Sequence, residues 1–126
     1  MGQGFLIDTN TAIDYLDDIL PGKSGDFIDT IAIQMSVITR IELLAWPKAS
    51  PEQISALNSF ISASTVFDLD EKIILKAIDL RKNYRIKLPD AIIGATALTH
   101  GLTLITHNIA DFQKINEIKL LNSYSL

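Results

Sequence analysis

The chain has 126 residues, 48% of them hydrophobic and 21% charged. That suits one folded domain over residues 1–126 with a sizeable core, and excludes a disordered chain. Cysteine is absent, which rules out disulfide frameworks, thiolate zinc sites, iron–sulfur clusters and cysteine nucleophiles together. Eleven Lys and Arg against fifteen Asp and Glu give a net charge of −4, which argues against nucleic-acid binding by bulk charge but leaves room for a local basic groove.

In chain order, Phe5-Leu6-Ile7 is a short apolar run ending at Asp8 and predicts a buried strand. Helical spacing follows over residues 11–20, stopped by Pro21-Gly22. A second helix is expected over 24–31 with Ser24 as its cap. A strand follows over 33–37, and then a helix over 38–45 that Pro47 prevents from continuing. Ser50-Pro51-Glu52 opens another helix, with Ser50 in the cap and Pro51 in the first position. Val66-Phe67 reads as a brief strand and 70–84 as a long helix. Pro89 starts a helix that closes near Gly101, residues 102–106 form a strand, and 119–124 a last edge strand. Strands alternating with helices predict an α/β domain with a mainly parallel sheet. Ligands of such sheets bind at the carboxyl ends of the strands, which here points to Asp8 and to His107-Asn108.

The stretch 91–110 has no acid, Lys or Arg and is long enough to span a membrane. His100, His107, Asn108, four threonines and two glycines interrupt it, so a helix, a turn and a buried strand fit better. The N-terminus lacks the basic region and apolar run of a signal peptide. Leu6 stands where a myristoylation signal needs Ser or Thr. A cytoplasmic protein, away from the membrane, is the expectation.

Four acids stand out. Asp8 follows the first strand, where a plain helix N-cap is the competing role. Glu42 flanks a stripe of Ile38, Ile41 and Ala45 and should be partly buried, unless it reaches solvent from the stripe's edge. Asp90 shares a face with Ile93, Gly94 and Ala97 in the first turn after Pro89, where the helix dipole keeps it ionised and Gly94 leaves space beside it. Asp111 follows the strand ending at Thr106 by five residues. Carboxylates gathered from separate segments repel one another, and a hard divalent cation with oxygen ligands removes that cost. Mg²⁺ or Mn²⁺ so held suits phosphodiester hydrolysis.

These acids lie in Phe5-Leu6-Ile7-Asp8-Thr9-Asn10, Thr39-Arg40-Ile41-Glu42-Leu43-Leu44, the stretch from Leu88-Pro89-Asp90 to Ala97, and the stretch from Leu104 through Thr106-His107-Asn108 to Asp111-Phe112. The four blocks, in this order and spacing, resemble the signature blocks of PIN-domain ribonucleases. The short layout without insertions resembles the VapC-type toxins of bacterial toxin–antitoxin pairs. The resemblance runs from residue 5 to residue 112 and implies a three-layer α/β/α fold and a metal-dependent endoribonuclease. It places metal-binding acids at Asp8, Glu42 and Asp90. Many PIN domains have Asp where this chain has Asn108, whereas VapC-like members often have Asn there and an acid three residues on. That second pattern makes Asp111 the fourth acid, with Asn108 contributing a carbonyl or a water contact. Thr9 and Thr106 fit as hydroxyls near the metal or the scissile phosphate, and Asn10 as a brace of the first turn. The resemblance further implies an RNA substrate, a cognate antitoxin lying across the helices near the active site, and a homodimer.

Arg81, Lys82, Arg85 and Lys87 surround Tyr84 and could track a phosphate backbone and stack a base, or simply solvate a helix end. Arg40 could contact RNA or pair with a carboxylate. His100 and His107 are open to ligand or structural roles. Trp46 is expected in the core, and Ile13, Ile19, Ile28, Ile31, Ile54 and Ile61 are open to a partner groove or to the core.

Competing motifs fail on spacing. Gly22-Lys23-Ser24 imitates the end of a P-loop, but Asp17 stands where its first Gly is needed. Gly2-Gln3-Gly4 precedes the first strand instead of following it, so it is no dinucleotide fingerprint. A haloacid-dehalogenase-like phosphatase needs an acid at Asn10 and a late Lys, and none closely follows the 102–106 strand; a response-regulator receiver needs paired acids after the first strand and an acid after a central strand, and neither is evident. The remaining alternative is a catalytically silent PIN-fold binding module.

Overall fold

The computed structural model describes residues 4–126. The elements run β1 (Phe5–Ile7), α1 (Thr9–Leu16), α2 (Gly22–Asp29), β2 (Gln34–Ser36), α3 (Val37–Leu44), α4 (Pro51–Ser62), β3 (Thr65–Phe67), α5 (Glu71–Asn83), α6 (Leu88–His100), β4 (Thr103–Thr106), α7 (Ile109–Phe112) and β5 (Lys119–Asn122). All ladders are parallel. β4 lies between β1 and β5, with Leu6 opposite Leu104 and Leu104 opposite Leu120, while β2 pairs with β3. The two groups are joined where the Gln34 side-chain amide donates to the Phe5 carbonyl at 3.1 Å.

Strand side chains alternate between faces, and this splits the apolar residues into two cores. Leu6 and Leu104 face a core built with Ile73, Ala77 and Leu80 of α5, the middle of α6, Phe112 and Ile115. Ile7, Met35 and Ile105 face the other way, against Ala12 of α1, Leu43 of α3, and Leu57 and Ile61 of α4. Helices therefore cover both faces of the strands, giving a three-layer α/β/α arrangement. The continuously buried run Ala91–Ala97 explains the apolar stretch noted in the sequence: α6 is wrapped by α5, the strands and the chain beyond Phe112. Gly101, at φ 62°, closes α6 in the left-handed conformation that glycine tolerates best. Among the described residues no helix is long and apolar enough to cross a membrane.

Local chemistry sets most boundaries, and it differs from the sequence-based expectation at several points. Helix α1 stops at Leu16, short of residue 20, because Asp17 closes it and Asp18 turns left-handed at φ 57°. Ser24 is not a cap. Helix α2 begins two residues earlier, after Pro21, and the buried Ser24 hydroxyl accepts the Leu126 N–H at 3.3 Å. Ser36 instead caps α3 through Ile38 N–H at 3.1 Å. Ser50 caps α4 as expected and forms a reciprocal capping box with Gln53. Strand β5 ends at Asn122 and not at 124, and α7 was not foreseen. The expected buried stripe on α3 is rotated: Ile41 is 56% exposed, and Thr39 and Leu43 form the buried side. Trp46, expected in the core, is 45% exposed.

Candidate active site

The carboxyl ends of β1 and β4 lie side by side, and a buried polar network joins them. Asp8 follows β1 and is only 4% exposed. One carboxylate oxygen accepts Thr9 N–H at 2.8 Å, and the other accepts the Thr106 hydroxyl at 2.7 Å and the Asn10 amide at 3.1 Å. Thr106, the last residue of β4, also accepts the Asn108 N–H at 3.0 Å. Asn10 accepts His107 N–H at 3.2 Å, so it braces two turns and not merely its own. Burial raises the pKa of Asp8 and the charge of Glu42 adds to this, while the donors Thr106, Thr9 and Asn10 oppose the rise.

The other acids approach from three helices. Glu42, on α3, is exposed and not part-buried as its stripe predicted, because the helix turns Thr39 and Leu43 inward. It accepts the Thr9 hydroxyl at 2.6 Å, and the Thr39 hydroxyl lies 3.1 Å from that of Thr9. Asp90, half-buried in the first turn of α6, has its pKa pushed up to about 6. Burial is the largest cause, followed by the charges of Asp8, Asp111 and Glu42, with Lys87 pulling the other way. Asp111 is exposed on α7 and lines a small cavity with Asp90. The structure thus brings the other three acids within electrostatic reach of Asp90, and Glu42 within reach of Asp8. Among the described residues, no three of them already close on one point as a metal-binding group.

Gly94 does not open space beside Asp90. A side chain there would meet Ile115 at 3.3 Å and Leu80 at 3.6 Å, so the glycine serves helix packing. Asn108 is exposed at the start of α7, and its side chain makes no capping bond. Arg40 and Arg85 are exposed. Tyr84 is not free to stack a base, since it packs on the core and its hydroxyl accepts Asn116 N–H at 3.2 Å. Arg81 donates to the Ile86 carbonyl at 2.9 Å. His100 stacks on Phe67 and His107 lies tilted at 42° against Tyr124, each with ring centroids 4.1 Å apart. Two contributors escaped the sequence reading. Thr39 lies three residues before Glu42 and shares its side of α3. Lys114, which lines the cavity with Asp90 and Asp111, lies three residues after Asp111 at the foot of a helix that was not predicted.

Thr106→Val tests the network. It leaves the buried Asp8 carboxylate without its hydroxyl donor and the Asn108 N–H without its acceptor. The expected cost is about 1–3 kcal/mol in urea denaturation at pH 7.

The profile of the PIN domain matches residues 5–118, and the chain belongs to that family. Within solved structures it is similar to a toxin–antitoxin complex from Klebsiella pneumoniae (29% identity, TM-score 0.79, covering 98% of this chain and 100% of that one). It is also similar to VapBC-1 from nontypeable Haemophilus influenzae (26% identity, TM-score 0.79, 94% and 97% covered). A third likeness is to DNA-bound VapBC from Salmonella typhimurium (25% identity, TM-score 0.78, 96% and 98% covered). No curated protein matches it.

Proposed function

We propose that this chain is a Mg²⁺- or Mn²⁺-dependent endoribonuclease and the toxin of a toxin–antitoxin pair, acting in the cytoplasm. The observation that carries the reading is the convergence of Asp8, Glu42 and Asp111 on the half-buried Asp90, where burial first, and then the charges of the other three acids, raise its pKa to about 6. The donor set is all oxygen, which fits a hard divalent cation. Asp8, Asp90, Asp111 and Glu42 would hold it, with Asn108 beside them. When bound, the cation supplies an activated water and charge stabilisation for a phosphodiester transition state.

The chain's own residues prepare that chemistry. Thr106, Thr9 N–H and Asn10 fix the Asp8 carboxylate in one orientation and favour its ionised form. Thr9 ties the exposed Glu42 to the start of α1. The likeness to toxin–antitoxin complexes supports an antitoxin partner. So does an apolar cavity of about 490 Å³ beside Glu42, lined by Ile13, Leu16, Trp46 and Leu57. Of the isoleucines considered for such a groove, Ile28 and Ile61 are buried in the fold, and Ile13 is the one that lines this cavity. A homodimer is proposed through the exposed Leu69, Ile78 and Leu88, which line a second apolar cavity along α5 and α6.

Incubating the full chain with a fluorescent single-stranded RNA pool tests the reading. Cleavage is expected with Mg²⁺ or Mn²⁺, and none with EDTA or with Asp8→Asn. Cleavage that persists in EDTA, or no cleavage with any divalent ion, contradicts it. The second outcome would favour a silent binding module.

A further inference from the structure

Beside the acids is a cavity of about 100 Å³ lined by Arg85, Ile86, Lys87, Asp90, Asp111 and Lys114. Three cations share this small space with two of the four crowded carboxylates, in a chain whose net charge is −4. The three come from two separate segments, the α5–α6 connection and the chain just past α7, and they are fastened together. The Lys114 ammonium donates to the Arg85 backbone carbonyl, and the Arg81 guanidinium donates to the Ile86 carbonyl at 2.9 Å. The connection carrying Arg85 and Lys87 is therefore pinned at two consecutive carbonyls. Ile86, between the two cations, is buried in the core and anchors the segment further.

Pinning of this kind is not needed to solvate a helix end, where cations are left free on long side chains. It leaves the Arg85 guanidinium with all its donors, and the Lys114 ammonium with two of its three. Lys87 is close enough to Asp90 to oppose the rise in its pKa. A group bound in this cavity must satisfy cations and sit beside carboxylates that a metal would neutralise. A phosphodiester meets both conditions: its non-bridging oxygens take charge-assisted hydrogen bonds from Arg and Lys.

We propose that Arg85, Lys87 and Lys114 form a subsite for a backbone phosphate of single-stranded RNA next to the one cleaved, with Lys114 as both a ligand and the strap that holds the subsite's other segment. This rests on the nuclease reading above and assigns the side of the acid cluster along which the RNA strand runs.

The test is binding of a fluorescein-labelled 12-nucleotide mixed-sequence RNA to the full chain by anisotropy, with Ca²⁺ replacing Mg²⁺, across 50–300 mM KCl. Lys114→Gln keeps a donor for the Arg85 carbonyl but loses the charge. It is expected to weaken binding on the order of 5–10-fold at the lowest salt and to reduce the salt slope by about 0.7, the share of one phosphate contact on a single strand. Lys72→Gln removes an equal charge at the far end of α5, about 18 Å from the connection, and is expected to leave the slope unchanged. In Mn²⁺-supported cleavage, Lys114→Gln raises KM with kcat nearly unchanged, and Lys114→Arg restores the wild-type value. If the wild type binds and cleaves RNA but the Lys114 and Lys72 variants lose affinity equally, the subsite is wrong and the nuclease reading stands. If the wild type neither binds nor cleaves RNA, both fall.

Discussion

Asp90→Asn is expected to reduce RNA cleavage sharply and, in the same protein, to stabilise the metal-free fold. The two effects have one cause. Asp90 is half-buried among three other acids, so its folded-state pKa is raised to about 6 from the ordinary 3.8. A carboxyl raised in this way favours the fold while it is protonated. Its contribution is fully present below about pH 4 and is lost as pH rises through 6. At pH 7.5 wild type therefore carries a penalty that the neutral amide avoids. After allowance for solvent screening at a half-exposed group, the gain is about 1 kcal/mol, or about 3–5 °C in Tm for a domain of this size. The advantage should vanish at pH 4. Mg²⁺ should reverse the order, because it binds and stabilises the wild type selectively. Cleavage should fall on the order of 10²–10³-fold with the loss of an anionic ligand. Thermal melts at pH 4 and 7.5, with and without Mg²⁺, check both halves. A variant that melts below wild type at pH 7.5 without metal would mean that the four acids are not crowded.

Phe112→Ala should cost about 3–5 kcal/mol, much of the stability of a domain of this size. Its ring is fully buried in the core with Leu104 and Ile115, and it is the one buried residue of the four-residue α7. Removing it leaves a cavity under the segment that carries Asp111. Cleavage should therefore drop even at temperatures where the variant remains folded. Urea denaturation measures the stability loss. A cost under about 1 kcal/mol would show that α7 is held by something other than this ring.

Much of this architecture could be read from the chain because its signals are local. The apolar triplet before Asp8, the run over 102–106, the Ser50-Pro51 start and the Gly101 stop each act within a few residues, and the strands and long helices fall close to where those signals put them. Relationships set by packing were less legible. Periodicity alone put Ile41 and Ala45 inside α3, but the arrival of α1 and α4 turned Thr39 and Leu43 inward and left Glu42 in solvent. Trp46 looked like a core residue and instead lines an apolar surface cavity. Gly94 looked like room for Asp90 and is filled by Ile115 and Leu80.

The four acids were picked out by residue type and position, and the fold gathers them. The hydrogen bonds that orient them were harder to foresee. The Thr106–Asp8 bond spans 98 residues of chain and exists only because β1 and β4 are neighbours in the sheet. Lys114 had no signal at all, since the turn that brings it to Asp90 depends on Phe112 being buried.

The most direct test of a divalent-ion site in this cluster is a calorimetric titration of the full chain with Mn²⁺ at pH 7.5, repeated with Asp8→Asn and Asp90→Asn. The account predicts micromolar-to-millimolar binding to the wild type, weakened at least about tenfold by either substitution. Equal binding by all three proteins, or none by the wild type, would contradict it.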